Sequence, residues 1–470
     1  LDDLHAKLLR KLARFAQEHV LRFWDELDDV SRRKLADQIE SLDLDLIDQL
    51  AKRSLSGEPA GVSFDFEPAE VMRLPRTTEE HAAFERARGG GEELLREERA
   101  ACVVVAGGQG TRLGYDAPKG TYPIGAVSGK SIFQLHVEKI RALAARYDTH
   151  IPLFVMTSPT NDPATRTFFQ ENDNFGLDEA DLFFFVQGTV PAVDFSGKLI
   201  LDARDHIFES PNGHGGVLRA LVDSGALARM RERDITQIFH FQVDNVLVDA
   251  AEPVFLGFHH ESGAQMSSKV TPKRDAKEPV GVTVKRADGR TAVVEYMDLT
   301  DEQTRRTEPD GSLTFWAANL CIFWYTVDFV ETVGTGGGLP FHFARKKIPF
   351  IDEQGECIGP AEPNGLKFET FVFDALPQAA KTFIMEISRA EEFAPVKNRT
   401  GEDSVDSARL AMTERFGRWL ESCGVEVPRG GDGRAVYPIE ISPLYALDEG
   451  ELKRKLPDRL EIDGPTLLED

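Results

Sequence analysis

The sequence predicts an α/β chain. Its centre is a mixed, mostly parallel sheet with helices on both faces, flanked by a helical N-terminal arm and a small C-terminal α+β unit. Three observations carry this. Short apolar runs (Ala101–Ala106, Ile151–Met156, Leu182–Gln187, Ile235–Val243) alternate with helical stretches across the middle of the chain, as strands of a covered parallel sheet do. The first hundred residues repeat apolar side chains at helical spacing. From Ile384 onward a helical stretch, Ser404–Ser422, is followed by Pro-punctuated runs at Val436–Leu444. The expected divisions are a helical arm over 1–99, a ligand-binding domain over 100–380 and a small domain over 381–470.

Leu4, Leu8, Leu12, Ala16, His19 and Phe23 recur at helical spacing and predict an amphipathic opening helix. His19 reads as a packed or rim histidine rather than a ligand. A second helix is expected over Arg32–Lys52, then a loop-rich stretch over Gly57–Pro75 and a polar helix over Glu79–Glu98. The arm holds no catalytic motif and reads as packing support or an interaction surface. Ser131 is placed to cap a helix running to Arg146, with Phe133, His136, Val137 and Ile140 inward. Thr157-Ser158-Pro159 leads into a helix around Pro163–Glu171, and Val217–Glu232 forms another. Between Pro279 and Asp374 the signals become more β-like, with runs at Ala292–Met297 and Thr314–Tyr325. Gly334–Leu339 reads as flexible connection, since no cation follows it.

At 470 residues the chain exceeds one compact core, and 41% apolar residues suit a packed globular protein. A formal charge of −24 argues against nonspecific nucleic-acid binding. It also means that any polyanion site must concentrate its cations locally, with a divalent metal to help. No run approaches the length of a membrane span. The chain opens at Leu1 with charged residues in a helical pattern, unlike a secretion signal. Cys102, Cys321, Cys357 and Cys423 form no Cys-x-x-Cys pair, so reduced, mostly buried thiols of a cytoplasmic protein are expected.

The run Ala101–Ala106 breaks into Gly107, Gly108 and Gly110, where backbone can approach a ligand closely. Exposed N–H groups there favour anions, and Arg112 and Lys119 add two cations. Strand, glycine turn and paired cations describe a polyphosphate site. Two better-known phosphate loops fail the test. The dinucleotide fingerprint needs a third glycine where Leu113 stands, and an acid about 20 residues on, where Lys130 stands. A Walker loop ending in Gly129-Lys130-Ser131 needs glycine at Ile124. Ligands of such sheets gather at the carboxyl ends of strands. Gly107–Gly110, Gln187-Gly188 and Asp244-Asn245 each directly follow an expected strand.

The run Gly107-Gly108-Gln109-Gly110-Thr111-Arg112, followed by Pro118-Lys119-Gly120, resembles the nucleotide-sugar pyrophosphorylase signature. Its spelling is most similar to the UDP-N-acetylhexosamine branch of the UDP-sugar pyrophosphorylases. Ordered matches continue through Met156-Thr157-Ser158, Gly213-His214-Gly215-Gly216, Val243-Asp244-Asn245, Glu278-Pro279-Val280-Gly281-Val282, Phe371-Val372-Phe373-Asp374, Phe393-Ala394-Pro395-Val396-Lys397 and Glu440-Ile441-Ser442-Pro443.

The resemblance implies a Rossmann-like nucleotide-sugar transferase fold. It also implies reversible conversion of UTP and a sugar 1-phosphate to UDP-sugar and pyrophosphate. The expected partners are these small molecules, with the chain a monomer or weak homo-oligomer. It assigns Arg112, Lys119 and Lys397 to the phosphates, and Gly107, Gly108, Gln187 and Gly215 to the uridine. A side-chain amide such as Gln187 donates and accepts at once, as a uracil edge requires. Gly281, Glu295 and Asn319 match sugar-contacting positions, and Phe371 and Phe373 match aromatics walling the sugar pocket. Asp244 ends a strand and is the best ligand for Mg2+, which takes one or two carboxylates plus substrate phosphates; the competing reading is an Asp that caps the next turn. Two departures bear on sugar choice. His214 stands where the N-acetylhexosamine branch usually has Asn and the UDP-glucose and broad UDP-sugar enzymes have His. Ala318 replaces a glycine. The expected sugars are N-acetylglucosamine and N-acetylgalactosamine 1-phosphate, with glucose or galactose 1-phosphate as the alternative. A nonenzymatic nucleotide-sugar sensor is the rival from another class.

Overall fold

The computed structural model describes residues 2–56 and 64–469. Residues 57–63 of the expected loop lie outside the described residues. The chain forms two compact units that do not follow the three consecutive stretches expected. The smaller combines Leu1–Val62, Gly188–Gly216 and Leu339–Val372; the larger combines Ser63–Gln187, Val217–Gly338 and Phe373–Asp470.

The larger unit is built on a ten-stranded sheet. In chain order its strands are β1 (Phe66–Pro68), β2 (Ala100–Val105), β3 (Leu153–Thr157), β4 (Leu182–Val186), β5 (Gln237–Gln242), β6 (Met266–Pro272), β7 (Val282–Arg286), β8 (Thr291–Val294), β9 (Ala317–Thr326) and β10 (Thr382–Glu386). They run β1-β7-β9-β5-β2-β3-β4, with β6 pairing β9 and β10, and β8 pairing β7. Strands β5, β2, β3 and β4 are mutually parallel, and β9 lies antiparallel to β5 and β6. All six residues of β2 are buried, so both faces are covered and the run is apolar throughout, as central parallel strands require.

Register places the candidate loops at one edge. Val105 lies opposite Gln242 and Met156, and Thr157 lies opposite Val186. Gly107, Ser158, Gln187 and Asp244 therefore leave the sheet at the same end. Around it, one hydrophobic core joins the strands to helices Ile132–Tyr147, Pro253–Glu261 and Val405–Ser422. Ser131 does cap its helix, accepting from the Gln134 N–H at 3.1 Å. The C-terminal stretch is not a separate unit: Phe416, Trp419, Leu420 and Ile439 belong to this same core, and β10 is a strand of the main sheet. Nor does helix Thr78–Arg96 belong with the arm. It crosses Pro253–Glu261 so closely that a Cβ on Gly257 would stand 1.7 Å from the Ala87 carbonyl oxygen.

The smaller unit packs helices Asp2–Ala13, Asp29–Ser41 and Leu44–Leu55 with a three-stranded sheet of Phe341–Lys346, Gly365–Thr370 and Val193–Asp194. Leu8, Leu12, Leu35, Ile39 and Ile47 share a core with Leu201, Ile207, Leu366 and Phe368.

Three expected helices break. The opening helix stops at Ala13 because Ala16 is left-handed (φ 54°), leaving His19 in a short 3-10 turn with Nε2 on the Leu199 carbonyl. The stretch Arg32–Lys52 divides where Asp43 caps a new helix by accepting from the Leu46 N–H. Val217–Glu232 divides at left-handed Gly225. Conversely, Gly334 lies inside helix Val327–Thr335 rather than in a loop. The cysteines are free, as expected, but only Cys102 is fully buried and Cys357 is exposed. Among the described residues no helix is long and apolar enough to cross a membrane.

Candidate active site

At the end of β2 the chain folds back on itself. The Gly110 N–H donates to the Ala117 carbonyl (2.9 Å) and the Lys119 N–H to the Gly108 carbonyl (3.1 Å), so the turn closes and brings Lys119 back beside its base. Asn161 holds that base. Its Nδ2 donates to the Ala106 carbonyl at 2.9 Å and lies 3.4 Å from that of Gly108, while its Oδ1 accepts from the Ser158 N–H and hydroxyl. Gln187 lies across from Gly107: a Cβ there would stand 2.7 Å from Gln187 Nε2. Above Gly108 the space is open. Arg112 is exposed in the 3-10 turn that follows.

Asp244 follows β5, and its Oδ2 lies 3.3 Å from Lys119 Nζ, with both side chains largely buried. The turn carrying it is fixed by donors to its carbonyls. His136 Nε2 reaches the Val243 oxygen at 2.8 Å, Lys139 Nζ those of Val246 and Val248 at 2.6 and 2.9 Å, and Arg415 Nη1 that of Leu247 at 3.0 Å. Facing a carbonyl, His136 Nε2 must carry the proton. Burial pushes His136 down to about 3, with the Lys139 charge adding to it. Lys139 is pushed down to about 7 by burial and then by Arg415.

Asn245 ties this turn to the late segment bearing Lys397. Its Nδ2 donates to the Glu392 carbonyl (2.8 Å) and its Oδ1 accepts from the Ala394 N–H (3.0 Å). The Val396 N–H then donates to the Asp244 carbonyl at 2.9 Å. Lys397 is the next residue, exposed, with Nζ 3.8 Å from Asp403 Oδ2.

The expected sugar-contacting residues also meet. The Asn319 N–H donates to the Gly281 carbonyl at 2.9 Å, and a Cβ on Gly281 would lie 3.2 Å from Glu295 Oε1. Asn319 Nδ2 donates to Ser268 Oγ (3.0 Å), and its Oδ1 accepts from the Cys321 N–H (3.1 Å). A bulge produces this geometry. Ser268 pairs with Phe323 but Val270 with Asn319, so β9 carries extra residues there, and Cys321 is left-handed at φ 54°. Bulges beside sites re-aim side chains in this way. Burial pushes the Cys321 thiol up to about 12; Lys397 pulls it down while Glu295 and Asp244 push it up. One side chain thus feels three of the charged candidates.

Within the larger unit, then, the structure gathers Gly107, Gly108, Lys119, Gln187, Asp244 and Lys397, and Gly281, Glu295 and Asn319. Arg112 lies on the same loop, and Phe373 is buried. His214, Gly215 and Phe371 belong to the smaller unit. There Gly213 is left-handed (φ 85°), and a Cβ on Gly215 would lie 2.8 Å from the Phe371 carbonyl carbon. Only glycines let the run lie flush on residues 370–371. His214 Nδ1 accepts from the Val372 N–H at 3.2 Å. Its ring stacks on Phe371 at 5.4 Å, and His342 stacks on Phe371 at 4.5 Å. Sequence reasoning missed Asn161, His136, Asn245, Ser268 and His342 as supports of these residues. Two carry a signal: Asn245 stands beside Asp244 at a strand end, and His136 falls on the inward face of its helix.

Residues 66–415 match the family described as UTP–glucose-1-phosphate uridylyltransferase. The chain is 35% identical over 492 residues to UDP-N-acetylhexosamine pyrophosphorylase-like protein 1 of Homo sapiens, covering 98% of this chain and 96% of that protein. It is 36% identical over 463 residues to UDP-N-acetylglucosamine diphosphorylase 2 of Arabidopsis thaliana, covering 94% and 89%. Among solved structures, the uridine diphosphate N-acetylglucosamine pyrophosphorylase of Trypanosoma brucei in complex with inhibitor superposes with a TM-score of 0.82 at 26% identity, covering 99% and 98%. A glycine turn closed on its own lysine, a carboxylate at the neighbouring strand end and a family match across both therefore agree: this chain belongs to the UTP–glucose-1-phosphate uridylyltransferase family, in the branch that holds the UDP-N-acetylhexosamine pyrophosphorylases.

Proposed function

We propose that the chain transfers a uridylyl group from UTP to N-acetylglucosamine or N-acetylgalactosamine 1-phosphate, releasing pyrophosphate. The observation that carries this is the Lys119–Asp244 pair at the lip of the glycine turn, with Lys397 delivered beside it by Asn245.

The sugar phosphate oxygen attacks the α-phosphorus of UTP in line, and the bond to the pyrophosphate oxygen breaks. The nucleophile is already anionic, so neither a base nor a covalent intermediate is required. The protein's task is to align two polyanions and stabilise charge as it moves to the leaving group. Arg112 and Lys119 take the triphosphate against the turn at Gly107 and Gly108. Lys397 meets phosphate from the late segment. Gln187 reads the uracil edge, and Glu295 and Asn319 bind the sugar with Gly281 leaving room.

Asp244 is the residue that would hold Mg2+. Among the described residues no group of three His, Cys, Asp or Glu could ligate a metal. With Asp244 supplying a carboxylate and substrate phosphates the rest, the donor set fits Mg2+ rather than structural zinc. Bound there, the ion would offset phosphate charge in the transition state.

His214 favours a second reading, the same chemistry on glucose or galactose 1-phosphate. A pyrophosphate-release assay with UTP, Mg2+ and the four sugar 1-phosphates decides. Preference for the N-acetylated pair supports the proposal, and preference for the plain hexoses replaces it with the second reading. UDP-sugar binding without turnover on any sugar would make the chain a sensor.

A further inference from the structure

Lys269 has no exposed surface, yet it lies in the middle of β6. Its ammonium stands 2.5 Å from Glu392 Oε2 and 3.5 Å from Glu252 Oε2, above the Phe255 ring. A buried ion pair is weak evidence for stability, because desolvating two charges costs about as much as their attraction returns. Well-packed apolar side chains would fill this place at least as well, and no substrate role has been given to either residue.

Glu392 opens the segment that ends at Lys397. Its carbonyl accepts from Asn245, whose amide also takes the Ala394 N–H; two residues later Val396 bonds to the Asp244 carbonyl. Whatever fixes Glu392 therefore fixes the start of the clamp that joins Asp244 to Lys397. The neighbouring strand residue, Ser268, accepts from Asn319. Successive strand residues point to opposite faces. One step of β6 thus holds the sugar-side amide on one face and the phosphate-side clamp on the other.

We propose that the Lys269–Glu392 pair sets the position of Asp244 and Lys397 against Asn319, making Lys269 a positioning residue for uridylyl transfer. This rests on the function proposed above. A rigid strand offers a fixed origin for both halves of the reaction, and a charge pair at 2.5 Å tolerates less sliding than an apolar contact.

The test compares the full-length wild type with Lys269→Met, Glu392→Gln and the double variant. The readouts are thermal midpoint, kcat and KM in pyrophosphorolysis of UDP-N-acetylglucosamine, and amide hydrogen exchange at Ala394 and Val396. Lys269→Met removes the ammonium that Glu392 and Glu252 share and loses stability. The double variant removes both charges and regains the midpoint. At that restored midpoint the expected result is a kcat about 100-fold down, with KM for the nucleotide sugar unchanged and faster exchange at both amides. A double variant with wild-type kcat, or with wild-type protection at Ala394 and Val396, overturns the proposal. A wild type silent on every nucleotide sugar removes the transfer reading, and this role with it; a silent variant beside an active wild type does not.

Discussion

Lys119 Nζ rests 3.3 Å from Asp244 Oδ2, so the second cation of the glycine turn is held by the carboxylate at the end of β5. Within the turn the two opposite charges offset each other. Lys119→Ala is expected to lower kcat by about 10²- to 10³-fold, with little loss of UDP-sugar affinity measured by calorimetry. An unchanged turnover number would take Lys119 out of the reaction.

Gly107→Ala places a methyl group 2.7 Å from Gln187 Nε2, and the amide must move. KM for UTP should rise about tenfold, while KM for sugar 1-phosphate stays at its wild-type value. If both constants move together, the contact between Gly107 and Gln187 supports the whole loop rather than nucleotide reading.

His214 is anchored through Nδ1 to the Val372 N–H and through its ring to Phe371. An Asn side chain can supply the acceptor but not the stacking face. His214→Asn should shift the ratio of specificity constants toward N-acetylated sugars by about tenfold. A ratio equal to that of the wild type would mean that this residue does not choose the sugar.

His136 and His259 are both pushed down to about 3, chiefly by burial, and His259 Nδ1 lies 2.6 Å from Ser267 Oγ. A histidine held neutral in the fold stabilises it fully above the ordinary value near 6.5. That contribution drains away as the pH falls from 6.5 toward 3, because only the unfolded chain takes up the proton. Between those limits each should cost about 1.4 kcal/mol per pH unit. Urea unfolding of wild type and His259→Gln at about pH 7.5 and about pH 5.5 measures it. The variant should show the shallower pH dependence, and equal slopes would refute the account.

Much of this site could be read before folding. The glycine turn, its two cations and the strand-end residues Gln187 and Asp244 are local features, written within a few positions of an apolar run. The supports were not legible. Asn161, His136 and Asn245 act by hydrogen bonds to carbonyls far along the chain, and one polar side chain in a sequence carries no trace of its distant partner. Single left-handed residues, Ala16 and Gly225, broke helices whose apolar spacing continued straight through them. The bulge at Cys321 was hidden for the same reason, since register is a property of two strands. Helix Thr78–Arg96 shows the limit from the other side: its ends follow from local pattern, but nothing local names its partner Pro253–Glu261.

The smaller unit is assembled from three separated stretches of chain, and that order governs how the protein can be made. Leu8 and Leu12 find Leu366 and Phe368 in one core, yet a ribosome supplies the second pair about 350 residues after the first. At about 5 to 20 residues per second that is a wait of roughly 20 to 70 s. During it, the apolar sides of the first three helices have no finished core to enter. Newly made chains are therefore expected to be most vulnerable to aggregation and most dependent on chaperones before residue 372 has emerged, and a truncation just short of that point should be recovered in the insoluble fraction.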